Sequence, residues 1–150
     1  MVDTPGVGGL DVGLAKLATQ SAQQACVLVL VCDASSPLTA PEMEFAKSAG
    51  ASVDALIVAV TKTDKNLRRW KAIVEDNRRL LREHLHREVP VIGVSSLRAV
   101  IATELADDRL RAHLEEASGI AELRAREKTD IGTATRANPG TTSRQRRSAR

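Results

Sequence analysis

Three short apolar runs punctuate the chain: Ala25 to Cys32 (ACVLVLVC), Ala55 to Val60 (ALIVAV) and Val89 to Val94 (VPVIGV). Each has the length and β-branched content of a strand. Between them the spacing turns helical. Over Leu67 to Leu85, the residues Trp70, Ile73, Val74, Asn77, Leu80, Leu81 and Leu85 fall near one face, while Arg68, Arg78, Arg79 and Arg82 point largely away. That pattern predicts an amphipathic helix. Asp11 to Gln24 and Pro41 to Ala49 are weaker helix candidates, Pro41 suiting a first turn and Gly50 the position just past the last. After the third run, Leu97 to Glu116 reads as one or two helices, Ser118-Gly119 as a break and Ile120 to Arg126 as the start of another helix.

The order helix-strand-helix-strand-helix-strand-helix is what right-handed crossovers produce in a parallel sheet covered on both faces, so the fold class is doubly wound α/β. From about Lys128 the pattern dies into Thr, Ser, Gly, Pro and Arg, Ile131 being the last large apolar residue. The expectation is one domain over residues 1–127 and a disordered basic tail over residues 128–150. Phe45 and Trp70 are the only aromatics, which leaves Val, Leu, Ile and Ala to build the interior, as under the helices of a parallel sheet.

The formal net charge of +3 is a property of the tail: residues 131–150 hold five arginines (Arg136, Arg144, Arg146, Arg147, Arg150) and no acid, leaving residues 1–130 at −2. A nucleic-acid partner is therefore not expected for the folded part, for which no exposed aromatics for base stacking are expected. The longest apolar run falls far short of the roughly 20 residues of a membrane-spanning helix. Met1 leads straight into Val-Asp-Thr-Pro-Gly, without a basic and then apolar leader, so a cytoplasmic chain is expected. Cys26 and Cys32 share a predicted strand about 20 Å apart, too far to pair, and read as buried structural thiols. His84 and His86, two residues apart on a helix, point to different sides and do not read as a metal pair.

Ligands of open α/β sheets bind beyond the carboxyl ends of the strands, and there the sequence is polar. The first run ends in Asp33, the second in Thr61-Lys62-Thr63-Asp64, the third in Ser95-Ser96, and the chain opens with Asp3-Thr4-Pro5-Gly6. A carboxylate fixed past a strand, as Asp64 would be, accepts two parallel hydrogen bonds from the N1 and N2 donors of guanine, an arrangement adenine does not offer. The aliphatic stem of Lys62 would lie over a flat base while its ammonium braces neighbouring loops. Ser95-Ser96 would present a backbone N–H to a base oxygen. Asp3 would orient a magnesium ion through water, and the Gly6 amide would donate to a terminal phosphate. The bland alternatives are a loop in which Asp64 or Asn66 caps the next helix, and a Pro-Gly turn before a helix.

Taken together and in this order, Asp3-Thr4-Pro5-Gly6-Val7-Gly8-Gly9, Thr61-Lys62-Thr63-Asp64 and Val94-Ser95-Ser96 resemble the third, fourth and fifth guanine-nucleotide motifs of the dynamin-like large GTPases. The resemblance is particularly to bacterial and actinobacterial members such as the mycobacterial isoniazid-inducible ones. Glu116-Ala117-Ser118-Gly119-Ile120-Ala121-Glu122-Leu123 is similar to the segment leading out of their G domain, and the resemblance covers about residues 2–126. It implies a P-loop-type G domain binding GTP or GDP with Mg²⁺. Thr61, Lys62, Asp64, Ser95 and Ser96 would then face the base, and Asp3 and Gly6 the magnesium and phosphate. In intact relatives it implies GTP hydrolysis coupled to membrane remodelling, with peripheral attachment to the inner face of the plasma membrane and homo-oligomers. Val7 stands where small GTPases place a water-orienting glutamine, so a glutamine mechanism is not expected.

The departure from that pattern is as informative as the match. No G-x-x-x-x-G-K-S/T occurs in the sequence, so nothing in it cradles the β-phosphate, and turnover by these residues alone is not expected. The strand carrying that loop would lie between the strand ending at Asp3 and Ala25–Cys32, which leaves the latter as an apolar edge. Met1 is accordingly expected to be an internal or misassigned start, or the sequence a truncated remnant. Two other readings stay open: a ribosome-associated GTPase acting on RNA, and a degenerate, non-enzymatic module that binds a partner through its open sheet edge. The threonine start of the fourth motif and the Ser-Gly-Ile exit segment favour the dynamin type.

Overall fold

The computed structural model describes residue 20 and residues 25–137. Its centre is β2 (Ala55–Thr61), which pairs in parallel with β1 (Val27–Asp33) on one side and with β3 (Val91–Gly93) on the other. The registers are Val29 to Ile57 and Ala59 to Ile92, so all three strands carry their carboxyl ends to the same edge. β2 is buried on both faces, with Ile57, Val58 and Val60 fully inaccessible, which is why its sequence is a continuous apolar run. β3 is shorter than its run, because Pro90 has no N–H for the ladder and contributes only its carbonyl, to Val58 N–H at 2.8 Å.

Two crossovers advance the chain one way across the sheet and lay α1 (Ala40–Gly50) and α2 (Trp70–Leu85) on one face. There Leu28, Leu30, Cys32, Leu56, Val58, Val60 and Val91 pack under Met43, Phe45 and Ala46 of α1 and Ile73, Val74 and Leu81 of α2. Gly50 proves to be the last residue of α1 itself, with Ala51 as its cap. α2 begins three residues later than its periodicity suggests, since the Asn66 carbonyl takes the Arg69 and Trp70 N–H groups in a preceding turn. Asn77, on the apolar face of α2, is fully buried and accepts the Leu38 N–H at 2.8 Å, which satisfies a loop amide inside the core.

α3 (Ser96–Glu104) and α4 (Asp108–Ala117) follow as two helices, the second capped by the Asp107 carboxylate on the Arg109 and Leu110 N–H groups. The break at Ser118-Gly119 has Gly119 at φ +69°, a left-handed conformation suited to glycine. α5 (Ile120–Ala137) then covers the other face, with Ile120 and Leu123 against Ile57, Ala59, Ile92 and Val94. The architecture is thus the expected doubly wound α/β in three layers.

α5 corrects the expected start of disorder at Lys128. The helix runs on to Ala137, with Thr129, Thr133 and Thr135 donating to carbonyls four residues back. Arg126 pairs with Asp130 at 3.1 Å, and Ala134 is buried. The helix candidate Asp11 to Gln24, apart from Gln20, and residues 138–150 lie outside the described residues. Cys26 is half-buried, while Cys32 is buried as expected; both are free thiols.

The outer side of β3 is closed. Arg78 Nη2 donates to the Val91 carbonyl at 2.9 Å, and a Cβ on Gly119 would come within 2.1 Å of the Gly93 oxygen, so that backbone closes directly on the strand. On the other flank, among the described residues, β1 pairs with β2 alone, and its Val31 is 59% exposed.

Candidate functional site

At the end of β2 the chain turns sharply: Lys62 adopts φ +59° and its carbonyl takes the Lys65 N–H at 3.0 Å. Side chains alternate through this turn. Lys62 is exposed, Thr63 is 1% exposed, and Asp64 is half-buried at the rim. Thr63 donates both its N–H and its hydroxyl to the Val94 carbonyl, at 3.3 and 3.2 Å, fastening the loop to the end of β3.

Across that junction Ser95 Oγ donates to Asp64 Oδ1 at 2.5 Å. Ser95 is fully buried and its position is over-determined. Its N–H donates to the Ser118 carbonyl at 2.8 Å, and its hydroxyl accepts the Arg98 N–H at 3.2 Å, capping α3. The Ser95 hydroxyl holds the Asp64 carboxyl below the usual carboxylate range, with Arg98 and Lys65 adding to the effect. Asp64 is therefore an ionised, acceptor-only group at neutral pH. A carboxylate has about four acceptor sites. With one taken by Ser95, the remainder suit a pair of parallel N–H donors. The helix-cap alternative fails here, since α2 has no side-chain cap and the Asn66 side chain donates instead to the Ala34 carbonyl at 2.6 Å.

The loop is fastened on its other side as well. Lys62 Nζ reaches Asp33 Oδ2 at 3.5 Å, and Thr61 Oγ1 donates to the Cys32 carbonyl at 3.0 Å. The structure thus brings Lys62, Asp64 and Ser95 to one edge. Thr61 is turned to β1 as a staple, and Ser96 is exposed at the first turn of α3, the link to Asp64 being made by Ser95. Asp3 and Gly6 lie outside the described residues, as does the magnesium position they imply. Among the described residues no three His, Cys, Asp or Glu side chains gather to hold a metal.

Sequence reasoning missed Thr63 and the fastening role of Asn66. Thr63 was open to detection only as the residue between two positions assigned to the ligand, which leaves its side chain for the protein. Asn66 carried no such signal, as its partner lies 32 residues away. A cleft of about 590 Å³ opens at the opposite end of the sheet, where Arg78, Pro90 and Val91 face Glu122 and Arg126. Its guanidinium groups are paired locally, Arg78 with Glu75 and Arg126 with Asp130, so the strand-end cluster is the better candidate.

The class defined by this geometry is an open parallel α/β fold with its polar residues gathered at the carboxyl edge of the strands, consistent with part of a Rossmann-like or P-loop-type domain. No family model matches the chain. It is 37% identical over 112 residues to the isoniazid-induced protein IniA of Mycobacterium tuberculosis, in both the CDC 1551 / Oshkosh and the ATCC 25618 / H37Rv strains. That match covers 73% of this chain, which spans only 17% of the length of the curated relatives it matches.

Proposed function

We propose that this chain carries the base-reading half of a guanine-nucleotide site of the dynamin-like type. The observation that carries the reading is the Asp64–Ser95 hydrogen bond at the carboxyl edge of two adjacent strands, 2.5 Å long, which presents an ionised carboxylate with acceptor sites to spare. In this reading Asp64 accepts the N1 and N2 protons of guanine, Lys62 covers one face of the base, and Ser95 fixes Asp64. The specificity follows from chemistry: adenine would leave the carboxylate facing an acceptor. The sequence contains no G-x-x-x-x-G-K-S/T. The proposed activity of these residues is therefore recognition of GTP or GDP, with phosphate and Mg²⁺ chemistry requiring such a loop and Asp3. Coupling to membrane remodelling and homo-oligomer formation belong to the same proposal, for the intact protein.

The test is binding of fluorescent GDP and ADP, with Asp64→Asn as the diagnostic variant. Asparagine turns one acceptor into a donor, so affinity for guanine falls by roughly 30-fold (~2 kcal/mol) while xanthine, which has an acceptor in place of the N2 amine, gains. Equal binding of GDP and ADP by the wild type, or no exchange of preference in the variant, refutes the proposal.

A further inference from the structure

Asp33, at the end of β1, has no task in the base reading described above, yet its surroundings are built. Oδ1 accepts both the N–H of Ser35, at 2.9 Å, and the Ser35 hydroxyl, which leaves Oδ2 directed at Lys62 Nζ, 3.5 Å away. Those Ser35 bonds hold the Asp33 carboxyl below the usual range, so the group is a fixed anion. Lys62 is one of two non-glycine residues at positive φ among the described residues, a conformation that persists where neighbours enforce it. Asn66 enforces it from one side by donating to the Ala34 carbonyl, and Thr61 from the other by donating to the Cys32 carbonyl. From this corner the two outward side chains diverge, Lys62 toward the end of β1 and Asp64 toward the end of β3. The strand ends they address lie two inter-strand spacings apart, about 10 Å.

Resting on the guanine reading, we infer that Asp33, oriented by Ser35, is a positioning residue that pins the Lys62 ammonium so that its methylene stem lies against one face of the bound base. The arrangement separates the two parts of a lysine: its charge is met by an anion on β1, and its apolar stem is left for the flat ligand. Without Asp33 the ammonium is free, and ordering the stem opposes binding.

The experiment is a titration of the full chain with fluorescent GDP for the wild type, Asp33→Ala, Lys62→Ala and the double variant, with Asp64→Ala as a reference. Hydrogen exchange at the Lys65 amide, which bonds to the Lys62 carbonyl, is followed in parallel. Asp33→Ala is expected to raise Kd about 5-fold (~1 kcal/mol), the scale of an exposed ion pair. The double variant should bind no more weakly than Lys62→Ala, because Asp33 acts through Lys62. Exchange at Lys65 should quicken several-fold in Asp33→Ala. A general structural role for Asp33 would instead weaken binding further in the Lys62→Ala background, and that outcome overturns the inference. So does an unchanged Kd in Asp33→Ala while Asp64→Ala abolishes binding, or unchanged exchange at Lys65. A wild-type chain that binds no guanine nucleotide overturns the underlying reading and the inference with it.

Discussion

The same chemical change, glycine to alanine, should act with opposite sign at two positions of this protein. Gly119 sits at φ +69°, where an alanine is disfavoured by about 1–2 kcal/mol. Its new Cβ would also stand 2.1 Å from the Gly93 oxygen and 3.2 Å from the Gly93 carbon. Backbone atoms cannot swing aside as the end of a side chain can, so the segment must shift bodily, an overpacking penalty of roughly 1–3 kcal/mol. Together these destabilise Gly119→Ala by about 2–5 kcal/mol, a large part of the roughly 5–15 kcal/mol typical of a domain. At about 4 °C per kcal/mol, Tm falls by roughly 8–20 °C. Gly132 lies within α5 with nothing within 4 Å of an added Cβ. There alanine gains about 0.5–1 kcal/mol of helix propensity. Urea denaturation followed by circular dichroism, with both variants beside the wild type, measures the contrast. The damage from Gly119→Ala should also reach the candidate site, because the adjacent Ser118 carbonyl holds the Ser95 N–H. A Gly119→Ala stability within about 1 kcal/mol of the wild type would refute the close backbone approach as the reason for glycine there.

Other expectations follow from single groups. Asn77→Ala strands the buried Leu38 N–H and should destabilise by about 2–4 kcal/mol, the loss of a buried bond plus a small cavity, read from a urea midpoint shift at constant slope. The Cys32 thiol is pushed up to about 12, first by burial and then by the charges of Glu42 and Asp33, so in native protein at pH 8 a thiol reagent should label half-buried Cys26 well before Cys32. Asp64 is held below its unfolded value of about 3.9, so its contribution is present above that pH and is lost as pH falls through the lower folded value. Ser95→Ala removes the main cause of that lowering and should move the Asp64 titration, followed by carboxyl NMR, upward toward the usual carboxylate range.

The strands and most helices were legible because burial dictates composition: β2 is closed on both faces, and ALIVAV admits no polar residue. α2 was legible through its stripe, including Asn77, whose place among leucines is explained by two buried partners, the Leu38 amide and the Cys32 sulfur. Asp64 and Ser95 could be named from motif order, since each follows a strand, but the bond between them depends on β2 and β3 being neighbours. The Asp33–Lys62 pair and the Asn66–Ala34 staple were not legible, because each joins loops about 30 residues apart whose approach is set by the register of β1 on β2. The length of α5 was misjudged from a Thr- and Gly-containing composition that disfavours helix. Hydroxyl bonds within the helix and the buried Ala134 accompany its continuation beyond Lys128.

The closure of the β3 flank bears on how the sheet can grow. Beside β3, an incoming strand would have to evict Arg78 from the Val91 carbonyl and part the backbone at Gly119 before it could form a ladder. Among the described residues β1 has β2 as its one strand partner. Addition of a strand to this sheet is therefore obstructed at β3 by a guanidinium and by a backbone crossing, two contacts that each occupy a carbonyl the ladder would need.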